Sequence, residues 1–265
     1  AWSDLLPITR EIHQILTKSK DLFNFSKISG KDILAKRLAQ CLNPECPSGV
    51  HETVLDIYFI ILKNIVSFTE KCLIDNLGIY ACGLFPFFPN ATLLNKKIFI
   101  DKIVYNCFLC FCSDELILCL PGLLSSLIQG LDDNNEENRA RIYEIFNDLM
   151  ERVASKTFYG VYWTLILRNK LLRPSGMKFL CEKITKYSVL MTITEEKKNE
   201  TISNEYPNIN TIVVNALSQV IEETDIPTVR TGMDFIITRL PLTKENKILS
   251  DDGKITLINN EANNM

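Results

Sequence analysis

The stretch from His51 to Leu73 carries apolar side chains on two separate helical stripes. Val54, Ile57, Tyr58, Ile61, Ile65 and Phe68 form one, and Leu55, Phe59, Leu62 and Val66 form the other. A helix that covers a core with one side in water needs a single apolar face, so two stripes call for neighbours on both sides. The segment is therefore expected as an inner helix of a layered helical stack.

The same period recurs along the chain. Leu34, Leu38, Cys41 and Leu42 share one face after Ser29-Gly30-Lys31-Asp32, which has the spacing of a capping box, and that helix stops at Asn43-Pro44. Ile142, Ile145, Phe146, Leu149, Met150 and Val153 form the cleanest stripe, introduced by the polar run Asp132-Asp133-Asn134-Asn135. Further helices are expected over Asp4–Lys18, Lys96–Phe111, Asp114–Leu131, Thr157–Asn169, Ser175–Leu190, Ile209–Glu222 and Pro227–Leu240. Strand alternation is not sustained anywhere. About ten helices with mostly short turns make an all-α chain, and the expected architecture is an α-solenoid of HEAT- or armadillo-like helix pairs, whose units run roughly 40 to 47 residues. A single helical-repeat domain is expected over residues 1–258, with a flexible polar loop over about 194–208 and a frayed tail at 259–265.

Composition narrows the function classes. Lysine and arginine number 29 against 32 acidic residues, a formal net charge of −3 with pI about 5.6, so no global positive field draws the chain to nucleic acid. The nine cysteines are odd in number and six of them lie in apolar periodic segments, which fits a reduced cytosolic setting better than a disulfide framework. The start, Ala1-Trp2-Ser3-Asp4, lacks an initiator Met and a signal-peptide pattern, and reads as the interior of a longer chain. The most apolar stretch, Ile98–Leu131, is interrupted by Asp101, Lys102, Asp114 and Glu115, so no transmembrane segment is expected.

Candidate chemistry is sparse. Cys107, Cys110, Cys112 and Cys119 are thiols at irregular spacing among Phe108, Leu109 and Phe111, and are expected as core residues rather than zinc ligands. Cys46 and His51 are close in sequence, yet nothing supplies an orienting third group or an oxyanion site. A thiol- or metal-dependent enzyme is thus the alternative, and a purely structural segment another. No catalytic residue, metal site or cofactor is assigned. One basic cluster stands out, Arg168, Lys170, Arg173 and Lys178 around the turn Pro174-Ser175-Gly176, as a candidate site for a lipid headgroup or acidic partner, aided by helix N-terminal donors near Ser175. Gly83-Leu-Phe-Pro-Phe-Phe-Pro89 is expected as a packed aromatic turn.

The run Leu34-Ala-Lys-Arg-Leu-Ala-Gln-Cys-Leu-Asn-Pro44, followed by Pro47-Ser-Gly-Val-His51, resembles the signature at the start of the Dopey family. Trp2-Ser-Asp-Leu-Leu6, Gly83-Leu-Phe-Pro-Phe-Phe88, Leu120-Pro-Gly-Leu123 and Val229–Leu242 extend the likeness over essentially the whole chain. The resemblance implies a non-catalytic scaffold built of helical repeats, cytoplasmic and peripheral on Golgi and endosomal membranes, acting in vesicular and endosome-to-Golgi trafficking. It implies as partners a relative of the large Arf exchange factors and a type-four P-type ATPase lipid flippase. It further links the N-terminal region to kinesin light chain and phosphatidylinositol 4-phosphate.

Overall fold

The computed structural model describes residues 4–20, 29–67, 78–81, 83–132, 135–184, 209–240, 247–249 and 255–257. The regular elements among these residues are helices and one antiparallel pair of short strands. The chain divides into two compact units, Ala1–Val161 and Tyr162–Met265. The expected loop at 194–208 and tail at 259–265 lie outside the described residues, as does the proposed domain end at 258.

The first unit opens with α1 (Leu5–Ser19), α2 (Lys31–Cys41) and α3 (Ser48–Ser67). Both apolar stripes of α3 contribute to the core: Val54, Ile57, Tyr58, Ile61 and Ile65 are buried from one and Leu55 and Leu62 from the other. The inner-helix expectation therefore holds for the described length, and its continuation past Ser67 falls outside it. Helices α1 and α3 run parallel, since Leu6 adjoins Gly49 at their beginnings while Asn64 Nδ2 donates to the Lys20 carbonyl at 2.7 Å near their ends. Helix α2 supplies the return. It starts differently from the expected capping box: Gly30, at φ 77°, is the N-cap, and no side chain caps it. A left-handed φ costs glycine little, so the backbone itself makes the turn.

One expected helix, Lys96–Phe111, is broken into three pieces. Thr92 caps α4 (Leu93–Ile98), Phe99–Tyr105 winds as a π-helix, and Phe108–Cys110 is a 3₁₀ turn. The wider π-turn buries Phe99, Ile100, Ile103 and Val104 while Asp101 pairs with Arg141 and Lys102 with Asp56. Helix α5 (Ser113–Gly130) and α6 (Glu136–Val153) then pack as a pair, with Asn135 capping α6 by accepting from Asn138 N at 3.0 Å. Ala154, at φ 65° and ψ 140°, joins α6 directly to α7 (Ser155–Arg168), a helix that begins in the first unit and ends in the second.

In the second unit a 3₁₀ turn, Lys170–Leu172, leads into α8 (Arg173–Lys183), followed by α9 (Ile209–Ile221) and α10 (Ile226–Arg239). Helix α10 packs on both α8 and α9. The core pairs Trp163 with Phe235, ring centroids 5.6 Å apart, and Tyr162 with Phe179 at 5.2 Å. At Gly232 a Cβ would meet Val220 Cγ1 at 2.5 Å, so this glycine sets how closely α10 approaches α9. Strands β1 (Lys247–Leu249) and β2 (Ile255–Leu257) pair antiparallel, with Ile248 opposite Thr256. These three-residue strands are too short to show a sustained alternation, and the chain is all-α as expected.

Candidate functional site: the basic turn between α7 and α8

The four basic residues singled out in the sequence do not form one surface. Arg168 ends α7, Lys170 opens the 3₁₀ turn and Lys178 lies midway along α8; all three are exposed. Arg173 is only 8% exposed. Its Nε donates to the Ile166 carbonyl at 3.1 Å, Nη2 to the Leu167 carbonyl at 3.1 Å, and Nη1 to the Gln219 carbonyl at 3.4 Å. It also pairs with Glu223, whose side chain is 5% exposed.

The sequence asks for such a clamp at this point. The last carbonyls of a helix have no partner within it. Ile166 and Leu167 lie in the final turn of α7 and Gln219 in the final turn of α9, so one planar guanidinium serves two helix ends at once. Lys170 Nζ reaches the other oxygen of Glu223 at 2.9 Å. The hydrogen bond from Lys170, joined by that from Arg173, outweighs desolvation and holds the Glu223 carboxyl below its ordinary range. Arg173 is thus part of the architecture, with its donors directed inward. Ser175, expected near helix N-terminal donors, is buried as well.

What this turn offers to solvent is Arg168, Lys170, Lys178 and one apolar side chain, Leu171, at 75% exposure. Asn169 fixes the turn by accepting from Leu171 N at 3.0 Å. An apolar tip with cations beside it suits an anionic, partly apolar surface.

The cysteines point to separate backbone acceptors. Cys107 Sγ lies 3.5 Å from the Lys102 carbonyl, Cys110 Sγ 3.5 Å from that of Asn106, and Cys119 Sγ 3.2 Å from that of Leu116. Burial pushes the Cys107 and Cys119 thiols up to about 12, opposing the thiolate that metal binding or nucleophilic attack requires. Among the described residues no group of three His, Cys, Asp or Glu side chains is arranged to hold a metal ion. Cys46 Sγ approaches the Gln40 carbonyl at 3.8 Å, whereas His51 Nε2 lies 2.9 Å from the Asn43 carbonyl and its ring packs against Phe87 at 5.0 Å. The aromatic turn is packed as expected, with Phe85, Phe87 and Phe88 buried along a 3₁₀ helix.

A family model described as Dopey, N-terminal, matches residues 1–264. The chain belongs to the Dopey family. It is similar to protein DOP1B of Xenopus laevis, 30% identical over 189 residues that cover 70% of this chain and 8% of that protein. A DOP1 homolog of Plasmodium falciparum is 28% identical over 250 residues, 93% of this chain and 6% of that protein. A DOP1 homolog of Drosophila melanogaster is 24% identical over 262 residues, 99% of this chain and 9% of that protein. The chain spans less than a tenth of the length of these relatives. No solved structure matches it.

Two surface features of this Dopey chain escaped sequence reasoning. One is the exposure of Leu171: it and Leu172 follow Lys170 as two apolar neighbours, and nothing in their order says that Leu171 points out while Leu172 is buried. Lys20, Lys63 and Lys102 come together in a cleft of the first unit, and no local sequence signal links them. No helix of the described residues is long and apolar enough to cross a membrane.

Proposed function

We propose that this Dopey region is a non-catalytic docking scaffold in membrane trafficking, cytoplasmic and peripheral on Golgi and endosomal membranes. The single observation that carries the membrane part is the exposed Leu171 tip flanked in the chain by exposed Arg168 and Lys170, with Lys178 exposed on α8. Each Lys or Arg near an anionic membrane surface contributes about 1 kcal/mol. Three such residues, one of them shared with Glu223, give weak recruitment, and the remainder of a long chain supplies avidity. The lipid that fits this reading is a phosphoinositide such as phosphatidylinositol 4-phosphate. Partners of the complete protein in the same reading are a large Arf exchange factor-like scaffold, a type-four P-type ATPase flippase and kinesin light chain.

Flotation with phosphatidylcholine vesicles containing phosphatidylinositol 4-phosphate tests the membrane part. The wild-type chain is expected to float, and the Arg168→Gln/Leu171→Ser/Lys178→Gln variant to remain at the bottom of the gradient. Arg173 is left intact because its loss would unfold the site rather than probe it. Equal flotation of the two proteins refutes the role of this turn.

A further inference from the structure

A cleft of about 610 Å³ runs between α1 and α3 in the first unit. One wall is His13 and Thr17 on α1 with Lys20 at its C-cap, spaced i, i+4, i+7; the other is Asp56, Ile60, Lys63 and Ser67 on α3, continuing the same spacing. Lys102 lines it from the π-helix Phe99–Tyr105. Phe59 and Ile60, both half-buried, leave apolar surface open along it.

Charge along the cleft is uneven. Lys102 is held by Asp56 at 2.5 Å. Among the described residues Lys63 reaches the Asn106 carbonyl, at 3.4 Å, and Lys20 adjoins it because Asn64 grips the Lys20 carbonyl. Among the described residues Asp56 is the sole acid lining the cleft, and it pairs with Lys102, so Lys20 and Lys63 give one end a cationic character. The π-helix adds an independent pointer, because such turns are rare and concentrate at functional sites.

Length selects the occupant. From Asp56 to Ser67 the α3 wall advances eleven residues, or about 16 Å at 1.5 Å each. An extended peptide covers that distance in about five residues at about 3.3 Å each. A compact phosphate group would occupy one end and leave the apolar strip of Phe59 and Ile60 uncovered. We propose that the α1–α3 cleft is a docking site for a short linear acidic peptide of a protein partner, its carboxylates on Lys20 and Lys63 and an apolar side chain on Phe59 and Ile60. The site rests on the reading of the chain as a protein-binding scaffold, and its failure would leave vesicle flotation through the Leu171 turn unchanged.

The test uses the 265-residue chain and a fluorescein-labelled pentapeptide, Glu-Glu-Phe-Glu-Glu, followed by fluorescence anisotropy. Wild type is expected to bind saturably, and to weaken as salt rises because the contacts are solvent-exposed. The Lys20→Glu/Lys63→Glu variant is expected to lose about tenfold or more in affinity with an unchanged circular-dichroism melt, since both side chains are exposed. Lys63→Gln is expected to lose less, and Arg168→Gln/Lys178→Gln nothing. Absence of saturable binding by wild type, or an affinity for the charge-reversed variant within about twofold of wild type, overturns the proposal. So does Lys63-dependent binding of phosphatidylinositol 4-phosphate vesicles without peptide binding, which would make the cleft a headgroup site.

Discussion

Replacing Arg173 with leucine separates an architectural arginine from a surface one. The substitution keeps an apolar stem for packing but removes the donors to the Ile166, Leu167 and Gln219 carbonyls. Each such hydrogen bond contributes about 1 kcal/mol net, and a buried carbonyl left without a donor costs about 1–3 kcal/mol. Three carbonyls at two helix ends therefore put the loss at about 3 kcal/mol, before any effect on Glu223. Native proteins are stable by only about 5–15 kcal/mol, so this is a large fraction. Urea unfolding followed by the fluorescence of Trp163, fully buried in the same unit, reads the change; the only other tryptophan is Trp2, which Trp2→Phe removes. Arg173→Lys keeps the charge without the planar fork and is expected to fall between wild type and Arg173→Leu. Arg168→Leu, at an exposed position, is expected within about 0.5 kcal/mol of wild type. A loss below about 1 kcal/mol for Arg173→Leu, with an unchanged urea slope, would refute the clamp and return Arg173 to the surface cluster.

Four further outcomes are expected. Because the Glu223 carboxyl is held low in the folded chain, its contribution is present above the ordinary carboxylate range and is lost as pH falls through its lowered folded value; a urea midpoint series on wild type and Glu223→Gln should converge at acid pH. Ala154→Gly should raise stability by about 1 kcal/mol, since φ 65° with ψ 140° strains an alanine and not a glycine, and the thermal midpoint would move upward. Gly122→Ala should lower stability by about 1–3 kcal/mol in chemical denaturation, because its Cβ would fall on the Phe85 ring. In iodoacetamide peptide mapping at neutral pH, exposed Cys110 and Cys112 should label rapidly and buried Cys107 and Cys119 only after denaturant is added.

What could be read in the sequence divides by the distance over which each feature is determined. The double stripe of α3 and the single stripe of α6 are local periodicities, and both elements stand where their period puts them. The expected helix Lys96–Phe111 fails because its winding is set by partners far along the chain: Arg141, which takes Asp101, and Asp56, which takes Lys102, lie 40 and 46 residues away. The strands β1 and β2 give little local signal, since three residues are below the length at which alternation persuades.

The basic cluster shows the same limit at the level of function. Arg168, Lys170, Arg173 and Lys178 are equivalent as charges on a line of sequence, and nothing within that line distinguishes the buried one. The distinction comes from Glu223, 50 residues on, and from the end of α9, whose Gln219 carbonyl needs a donor. Arginine is suited to that place because its fork satisfies several acceptors while keeping its charge. The exposed places make no such demand, and both arginine (Arg168) and lysine (Lys170, Lys178) stand there. Once Arg173 is committed to joining α7 to α9, only Arg168, Lys170 and Lys178 of the four keep their charge outside, and a variant directed at Arg168 and Lys178 leaves the fold intact.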